Sequence, residues 1–315
     1  MHELGASACC VLCLLLATQA GGQGELPEGT WELVTEHAQF GPRDTAEPLV
    51  YDGRMWLSNG YYHGNALYPD LWVSEDGRDW RCVLEHTPYD PYSEMVVYDG
   101  KMWAIKGSVW TSTDGESWQQ VLEETPFGVR GYGEVLVHEG KIWQLGGSDI
   151  WTTTDGVNWT RVAQDLPYGG RSGSTILSFD GKLWLIAGRV PVRSDPPESG
   201  YENITTHNDV WRSADGVTWE RVLEHAPWTP RMWVCGEVYR DHMFIIGGYD
   251  NRNEANFGDI WYSADGVTWH ELPTPEGYKG RHEVSPYVFQ DSLWVVAGNT
   301  WPVVNDVWRL TIPEE

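Results

Sequence analysis

The sequence is poor in positive charge. Lys and Arg number 21 against 46 Asp and Glu, so the formal net charge is −25 over 315 residues. A chain this acidic is repelled by phosphate backbones and by anionic lipid surfaces, so the charge argues against nucleic acid or an anionic membrane surface as a partner. The same balance favours solubility and leaves room for a cationic partner or a bound cation.

Cysteine is also scarce, with five residues in the whole chain. Cys9, Cys10 and Cys13 lie in the first apolar run. Cys82 and Cys235 fall on different strands of non-adjacent repeats in the alignment given below, which argues against a disulfide between them. We therefore expect two buried free thiols without a redox role.

Long apolar runs are absent beyond the first 20 residues. The run ASACCVLCLLLATQA is too short to span a bilayer comfortably and ends in small residues. We interpret residues 1–20 as a secretory signal cleaved near Ala20. This predicts an exported protein, extracellular or, in a bacterium, periplasmic, with residues 21–315 forming one domain and no membrane insertion.

Tryptophan, by contrast, is abundant at 20 residues, and much of it lies in one repeated hairpin motif. The clearest copy is DIWTTTDGVNWTRV, from Asp149 to Val162. Asp155-Gly156 resembles a two-residue turn, because such turns need positive φ, which Asp tolerates and Gly adopts freely. Further copies begin at Asp70, Ser108, Asn208 and Gly258, and a partial copy begins at Asn305.

Each repeat contains four short β-type runs, which we name a, b, c and d. In the third repeat they are Glu134–His138, Lys141–Gly147, Asp149–Thr154 and Asn158–Ala163. Run b, GKIWQLGG, alternates in a way that suits a strand packed on both faces. Repeats that each contain four short strands are typical of propeller blades, so the sequence predicts an all-β, six-bladed β-propeller.

The two ends of the chain complement each other. The sixth repeat has runs a (Val284–Phe289), b (Ser292–Gly298) and c (Asn305–Leu310) but no d. An orphan run, Thr30–Val34, matches the d pattern. We therefore predict that the N-terminal strand completes the last blade and closes the ring, which removes both open sheet edges.

The strand-b endings Gly146-Gly147 and Gly247-Gly248, with a later Trp and a preceding Arg, resemble the kelch repeat of galactose oxidase-like propellers. The hairpin motif is similar to the Asp-box of sialidase-type propellers, although it is one residue shorter between Asp and Gly. These resemblances cover nearly all of residues 21–315. They specify a fold and leave the function open.

The b–c connections vary most in length and share one face of the predicted ring with the d–a connections. The longest are at residues 189–207, 249–257 and 61–69. Long loops on a rigid scaffold usually carry binding sites, so we place function on this loop face. The Asp-Gly turns leave the opposite face, where we expect each Asp to cap its own turn.

Three aligned layers define the candidate site at the entry of run a. The first has Arg in five of six repeats (Arg43, Arg130, Arg171, Arg231 and Arg281), with Asp90 in the other. The second, deeper layer has Glu47, Glu94 and Glu134, followed by Thr175, Cys235 and Ser285. The third is an aromatic rim (Phe40, Tyr89, Phe127, Tyr168, Trp228 and Tyr278).

From these layers we predict ligand contacts by the five Arg residues, Glu47, Tyr168 and Trp228. A ring of guanidinium groups would suit a polar ligand that carries a carboxylate, and aromatic faces stack on sugar rings. Two alternatives stay open. In the first, the Arg residues link adjacent blades to backbone carbonyls. In the second, the aromatic residues serve blade packing.

We predict a protein- or glycan-binding module. The alternative is a carbohydrate-active enzyme similar to kelch sialic-acid mutarotases, and that resemblance implies Glu94 or Glu134 as a base beside Arg130, Arg171 or Arg231. Resemblance to sialidases is weaker, because their early Phe/Tyr-Arg-Ile-Pro motif is missing. No cofactor is expected, although a loop with Asp250, Asn253, Glu254, Asn256 and Asp259 has oxygen ligands that suit Ca²⁺.

Overall fold

A computed structural model describes residues 24–62, 66–130, 133–191 and 204–314. In these ranges the chain forms 28 β-strands. The predicted secretory signal at residues 1–20 lies outside the described residues. Among the described residues, no helix has the length and apolar character that a membrane crossing requires. Cys82 and Cys235 are free thiols, as expected, but both residues are half-buried and not buried as predicted.

Six four-stranded antiparallel sheets form the blades of a β-propeller, which confirms the predicted fold. Blade 1 contains β2 (Glu47–Tyr51), β3 (Arg54–Ser58), β4 (Leu71–Ser74) and β5 (Trp80–Leu84). Blade 2 contains β6 (Glu94–Tyr98), β7 (Lys101–Ile105), β8 (Val109–Ser112) and β9 (Gln119–Leu122). Blade 3 contains β10 (Glu134–His138), β11 (Lys141–Leu145), β12 (Asp149–Thr153) and β13 (Thr160–Gln164).

Blades 4 and 5 each carry an extra hairpin in the b–c connection. Blade 4 contains β14 (Thr175–Phe179), β15 (Lys182–Ile186), β18 (Val210–Ser213) and β19 (Glu220–Leu223), with the hairpin β16 (Arg189–Pro191) and β17 (Ile204–Thr206). Blade 5 contains β20 (Cys235–Tyr239), β21 (His242–Ile246), β24 (Ile260–Ser263) and β25 (His270–Leu272), with the hairpin β22 (Tyr249–Asp250) and β23 (Ala255–Asn256).

The N-terminal strand closes the ring in blade 6, as predicted. This blade contains β26 (Ser285–Phe289), β27 (Ser292–Asn299), β28 (Val303–Thr311) and, as strand d, β1 (Thr30–Thr35). The pairing is antiparallel, with Trp31 opposite Leu310 and Leu33 opposite Trp308. This pairing holds the first and the last strand of the described chain in one sheet.

The tight two-residue turns lie between strands a and b, and not between c and d. In blade 1 both turn residues are left-handed, with φ of 51° at Asp52 and 67° at Gly53, as a type I′ turn requires. The c–d connection of blade 3 is longer, and of Asp155-Gly156 only Gly156 has positive φ, at 72°. The predicted two-residue turn at that point was therefore wrong.

Asp155 caps the longer c–d connection with its side chain. Its Oδ1 accepts hydrogen bonds from the backbone N–H groups of Val157 (2.9 Å) and Asn158 (2.7 Å). Thr153 Oγ1 accepts from the N–H of Gly156 at 2.9 Å. The Asp residues of these motifs therefore satisfy backbone donors locally, as expected of a structural residue.

The Gly of each c–d connection is needed for packing between blades as well as for its φ. A Cβ on Gly156 would lie 2.2 Å from the indole of Trp103, which belongs to strand b of the preceding blade. Gly77, Gly115, Gly216 and Gly266 meet Trp294, Trp56, Trp143 and Trp184 in the same way. Blade 6 has no such connection, and the preceding blade has Phe244 instead of Trp in strand b.

The strands a of neighbouring blades contact each other around the whole ring and form the wall of the central channel. The b–c and d–a connections leave the ring at the end of the channel where strands a begin. The candidate layers at the entry of strands a therefore lie at the mouth of the channel on the loop face.

Candidate functional site

The five arginines of the first layer form ion pairs inside their own blades. Each guanidinium contacts an Asp at 2.5–2.7 Å: Arg43–Asp70, Arg130–Asp149, Arg171–Asp209, Arg231–Asp259 and Arg281–Asp306. The Asp lies at or just before the start of strand c, except that Asp306 lies within the longer β28. Each also donates to a carbonyl near the end of strand b, for example Arg231 to Gly247 at 2.8 Å. The second oxygen of Asp259 accepts a hydrogen bond from the indole of Trp261.

This geometry corrects the expectation that guanidinium groups project into the channel mouth. Arg43 and Arg231 are 0% exposed and Arg281 is 1% exposed. Arg171 is buried and Arg130 is partly exposed. Because most of their donors are taken up by Asp and by backbone carbonyls, these arginines join strands a, b and c of one blade. The Asp partners are 25 to 38 residues away along the chain, except for the pair Arg130–Asp149.

The predicted aromatic rim is not exposed at the mouth: four of its residues are buried (Phe40, Tyr89, Tyr168 and Trp228), and Phe127 and Tyr278 are half-buried. Tyr168 contacts Trp219 edge-on at 5.0 Å, and Trp228 contacts Trp269 edge-on at 4.7 Å. Tyr168 is 5% exposed and Trp228 is 2% exposed. Their geometry is that of blade packing, the alternative that the sequence left open.

Blade 2 lacks the ion pair of the other blades. Asp90 stands at the Arg position, and Ser108 stands where the Asp partner would be, so both members are replaced together. Lys106 occupies the end of strand b, and its ammonium donates to the carbonyl of Pro91 at 2.5 Å and lies 5.3 Å from the ring centroid of Tyr92. Blade 2 therefore directs a Lys to the channel instead of binding an Arg internally.

A cavity of about 280 Å³ occupies the mouth of the channel. On one side it is lined by four carboxyl groups, from Glu47, Glu94, Glu134 and Glu283. The structure brings together the three Glu residues predicted for the second layer, including both candidate bases, Glu94 and Glu134. Glu283, from blade 6, was not predicted.

Glu283 belongs to a layer of channel residues that the sequence analysis missed. In the five blades where this position is described it has positive φ: Thr45 (53°), Tyr92 (62°), Gly173 (58°), Trp233 (57°) and Glu283 (51°). All five line the cavity. Tyr132 of blade 3 lies outside the described residues. The position lies two residues after the Arg layer, so the repeat alignment could have found it.

Backbone hydrogen bonds between blades hold this layer in place. Thr45 N–H donates to the carbonyl of Glu283 (3.1 Å), Glu283 N–H to that of Trp233 (3.1 Å), and Trp233 N–H to that of Gly173 (2.8 Å). A left-handed Thr or Trp is rare and persists only where the surroundings hold it. The side chains at the mouth therefore project from a rigid backbone.

The four carboxyl groups have raised pKa values. Burial raises the pKa of Glu47 to about 7 and that of Glu283 to about 8. Burial, together with the charge of Glu47 and other neighbouring carboxylates, holds the pKa of Glu94 and of Glu134 well above the ordinary range. Near neutral pH the cluster therefore contains both protonated and ionised carboxyl groups, which can donate as well as accept hydrogen bonds.

Positive charge near the cluster is limited. Burial lowers the pKa of Lys106, while the nearby Asp90 and Glu94 oppose that effect. Thr45 Oγ1 donates a hydrogen bond to Glu283 Oε2 at 2.5 Å. Among the residues that line the cavity, Lys106 is the only Lys or Arg. The acidic side of the cavity is thus only partly compensated by the protein.

The opposite side of the cavity, from blades 4 and 5, is neutral. It contains Ser174, Thr175, Trp233 and Cys235. Ser174 and Thr175 are both 4% exposed, and no hydrogen bond joins either hydroxyl to another described residue. Burial raises the pKa of the Cys235 thiol well above its ordinary value, so this group stays uncharged.

The loop proposed for Ca²⁺ uses its oxygens for other contacts. Asp259 is the ion-pair partner of Arg231, and Asp250 accepts hydrogen bonds from the backbone of Arg252 and the side chain of Asn253. Asn256 contacts His282. Over the described ranges, no group of three or more His, Cys, Asp or Glu residues has the geometry to hold a metal ion.

Comparison with known proteins supports the architecture. The solved structure titled "Structure of YjhT" aligns with a TM-score of 0.67, covering 89% of this chain and 100% of that one, at 13% identity. At that identity the similarity shows the fold alone. No curated protein sequence matches. A family profile described as the DUF6242 beta propeller domain matches residues 29–313. The assignment to kelch repeats in particular stays a prediction.

Proposed function

Because this chain belongs to the DUF6242 beta propeller domain family, whose name states a fold and no activity, we propose a function from the cavity: the protein binds a glycan at the channel mouth. The observation that carries this proposal is the contrast between the two sides of the cavity. Carboxyl groups stand on one side, and Trp233 with two unpaired hydroxyls stands on the other.

A sugar ring has the chemistry to satisfy both sides. Its hydroxyl groups donate to carboxylates and accept from protonated carboxyl groups and from Ser or Thr, while its C–H faces pack against an aromatic ring. A cavity of about 280 Å³ is close to the lower end of the usual size of ligand pockets. It therefore suits one sugar unit.

The electrostatics favour a neutral glycan over the carboxylate-bearing ligand that a ring of Arg suggested. The five arginines are paired with Asp, whereas four carboxyl groups face the cavity. A ligand carboxylate would be repelled by these groups and would meet only Lys106 as a compensating cation of the cavity wall.

A glycan array followed by calorimetric titration of the hits tests this function. We expect Glu47→Gln and Thr175→Val each to weaken binding by about 1–3 kcal/mol, because the first replaces a carboxyl oxygen that can accept a hydrogen bond by an NH2 group that cannot, and the second removes a hydroxyl group from the cavity. Glu271→Gln, at an exposed position of blade 5, is the matched control and should bind normally. Equal binding by all four proteins, or an array without any hit, would contradict the proposal.

A second candidate function is catalysis of sugar ring opening, favoured by the raised pKa values of the carboxyl cluster. An acid and a base whose pKa values lie near neutrality are suited to general acid–base catalysis. As the bond between C1 and the ring oxygen breaks, one of Glu94 and Glu134 would give its proton to the ring oxygen while the other takes the proton of the anomeric hydroxyl, which leaves the open carbonyl form. Cavity residues and not the buried arginines would then orient the sugar.

Exchange NMR of anomer interconversion tests this second function with the sugars that bind. Wild type should accelerate exchange, and the double variant Glu94→Gln/Glu134→Gln should lose the acceleration even at sugar concentrations that saturate its weakened binding. If binding occurs and the exchange rate equals that in buffer, the protein is a binding module without this activity.

A further inference from the structure

Trp301 is exceptional among the tryptophans of this protein. All 20 lie in the described residues, and Trp301 is the only one with an exposed side chain, at 57%. The others are buried or half-buried in and between the blades. A large aromatic ring that faces solvent at a hairpin tip on the loop face is not required by the blade packing.

An aromatic band joins Trp301 to the cavity. Trp233 forms part of the cavity wall and stacks on His282, with ring centroids 4.9 Å apart and planes at 26°. His282 in turn lies 5.5 Å from Trp301. Tyr249 contacts all three of these rings, at 5.3–6.2 Å. We name Trp233, Tyr249, His282 and Trp301 the aromatic shelf.

The shelf is uncharged and firmly held. Burial lowers the pKa of His282 to about 3, so its ring is neutral at ordinary pH. The backbone N–H of Trp301 donates to Asn299 Oδ1 at 2.9 Å. Asn299 is 2% exposed and donates to Asp44 Oδ2 of blade 1 at 2.8 Å. The hairpin tip is thus attached to the neighbouring blade, and little side-chain entropy is lost when a ligand packs on it.

We propose that Trp301 forms a second sugar subsite, so that the protein takes an oligosaccharide of at least two units. One unit occupies the cavity beside Trp233, and the next packs its C–H face on the exposed ring of Trp301. This inference rests on the proposed glycan binding. It is supported by the continuity of the shelf from the cavity wall to the solvent-exposed ring, since successive units of one chain need adjacent surfaces.

The test measures affinity against chain length. The probes are glucose, galactose, mannose and N-acetylglucosamine, each with its β-linked oligomers of two to four units, titrated into wild type, Trp301→Ala and Trp301→Tyr. The control is Tyr62→Ala, since Tyr62 is an exposed aromatic residue of a blade 1 loop and is not part of the shelf.

We expect oligomers to bind more tightly than the monomer, and Trp301→Ala to lose about tenfold in affinity for oligomers with no change for the monomer. Trp301→Tyr should restore most of the loss, and Tyr62→Ala should behave as wild type. Equal affinities for monomer and oligomers, or equal effects of Trp301→Ala on both, would overturn the inference while leaving glycan binding intact.

Two other outcomes are distinct. If none of the probes or array glycans binds, the proposed function itself fails, and the subsite fails with it. If sedimentation of the sugar-free protein shows a dimer that Trp301→Ala disrupts, then the exposed ring belongs to a contact between copies of the chain, and the subsite is overturned.

Discussion

Two rings of carboxyl groups surround the channel mouth, and they differ in what they face. The outer ring consists of the Asp residues at the start of strand c, each in contact with an Arg of the same blade. The inner ring consists of Glu47, Glu94, Glu134 and Glu283, which face the cavity. Both rings are largely withdrawn from bulk water, but each Asp of the outer ring has an Arg of its own, whereas Lys106 is the one cation in the described cavity wall for the four inner carboxyl groups.

The pKa values show the consequence of that difference. Burial alone would raise the pKa of Asp209, but hydrogen bonding and the charge of Arg171 bring it below its ordinary value. In the inner ring burial is not offset in this way, and the pKa of Glu47 rises to about 7. The ionised form of Asp209 is therefore favoured in the folded protein, beside Arg171. The inner ring weakens the fold at neutral pH, and such a cost is typical of functional sites.

The largest expected effect comes from breaking a pair of the outer ring. Arg231→Ala leaves the Asp259 carboxylate without its partner and the Gly247 carbonyl without its donor. We expect a loss of about 3–5 kcal/mol in the free energy of unfolding, measured by urea denaturation. Arg252→Ala, at an exposed position on the same face, should cost less than about 0.5 kcal/mol. Similar losses for both variants would contradict the structural role of the pair.

The inner ring should make stability depend on pH. Since folding raises the pKa of Glu47 to about 7 and that of Glu283 to about 8, the folded protein binds more protons than the unfolded chain above the ordinary value of 4.5. The free energy of unfolding should therefore fall as the pH rises from 4.5 to about 8. The double variant Glu47→Gln/Glu283→Gln should depend less on pH in thermal unfolding than the wild type. If stability changes with pH as steeply in the variant as in the wild type, these two carboxyl groups do not cause the dependence.

A single change in the inner ring should have the opposite sign to one in the outer ring. Glu94→Gln removes a carboxyl group whose pKa is held well above its ordinary range by burial and by neighbouring carboxylates. At pH 8 we expect a gain on the order of 1 kcal/mol in the free energy of unfolding. Urea denaturation measures it, with Glu139→Gln in an exposed turn on the opposite face as the control. A loss of stability would show that Glu94 is structural.

The smallest net effect is expected from installing an outer-ring pair in blade 2. Asp90→Arg and Ser108→Asp restore the two residue types found in the other five blades. Each single change should destabilise the protein, and the double variant should recover most of the loss, with a coupling energy of about 0.5–3 kcal/mol. Because a buried ion pair adds little net stability, the double variant should stay near wild type. Additive single effects would mean that the two positions do not meet.

The repeat pattern predicted the fold because the strands and turns of a blade are determined by residues that are close together in the sequence. The repeat alignment gave the strand lengths, the position of each turn and the absence of strand d from the last repeat. Thr30–Thr35 pairs with the last strand, as the alignment predicted. The type of the c–d turn could not be predicted, because the dipeptide Asp-Gly is compatible with two kinds of turn. Asp155 can adopt a positive φ in a two-residue turn, or it can cap a longer turn with its side chain.

The role of the Arg layer could not be predicted from the sequence, because each Arg contacts an Asp that is distant along the chain. Arg43 and Asp70 are 27 residues apart, and nothing local shows that they meet. The sequence contained one sign of this pairing, since blade 2 lacks both the Arg and the Asp. A joint replacement in one repeat is weak evidence that two residues are in contact. The aromatic layer was ambiguous in the same way, because Tyr168 and Trp228 suit a rim as well as a blade interface.

Local order along the chain was thus sufficient for the number of blades, the closure of the ring and the Glu-containing half of the channel, since hydrophobic periodicity and turn residues act over a few positions. Which side chains are neutralised within a blade, and which are left facing the cavity, was decided only when blades came together. Burial and charge pairing are properties of the assembled ring, so the pairing of the Arg layer within each blade and the shelf that ends at Trp301 could be recognised only there.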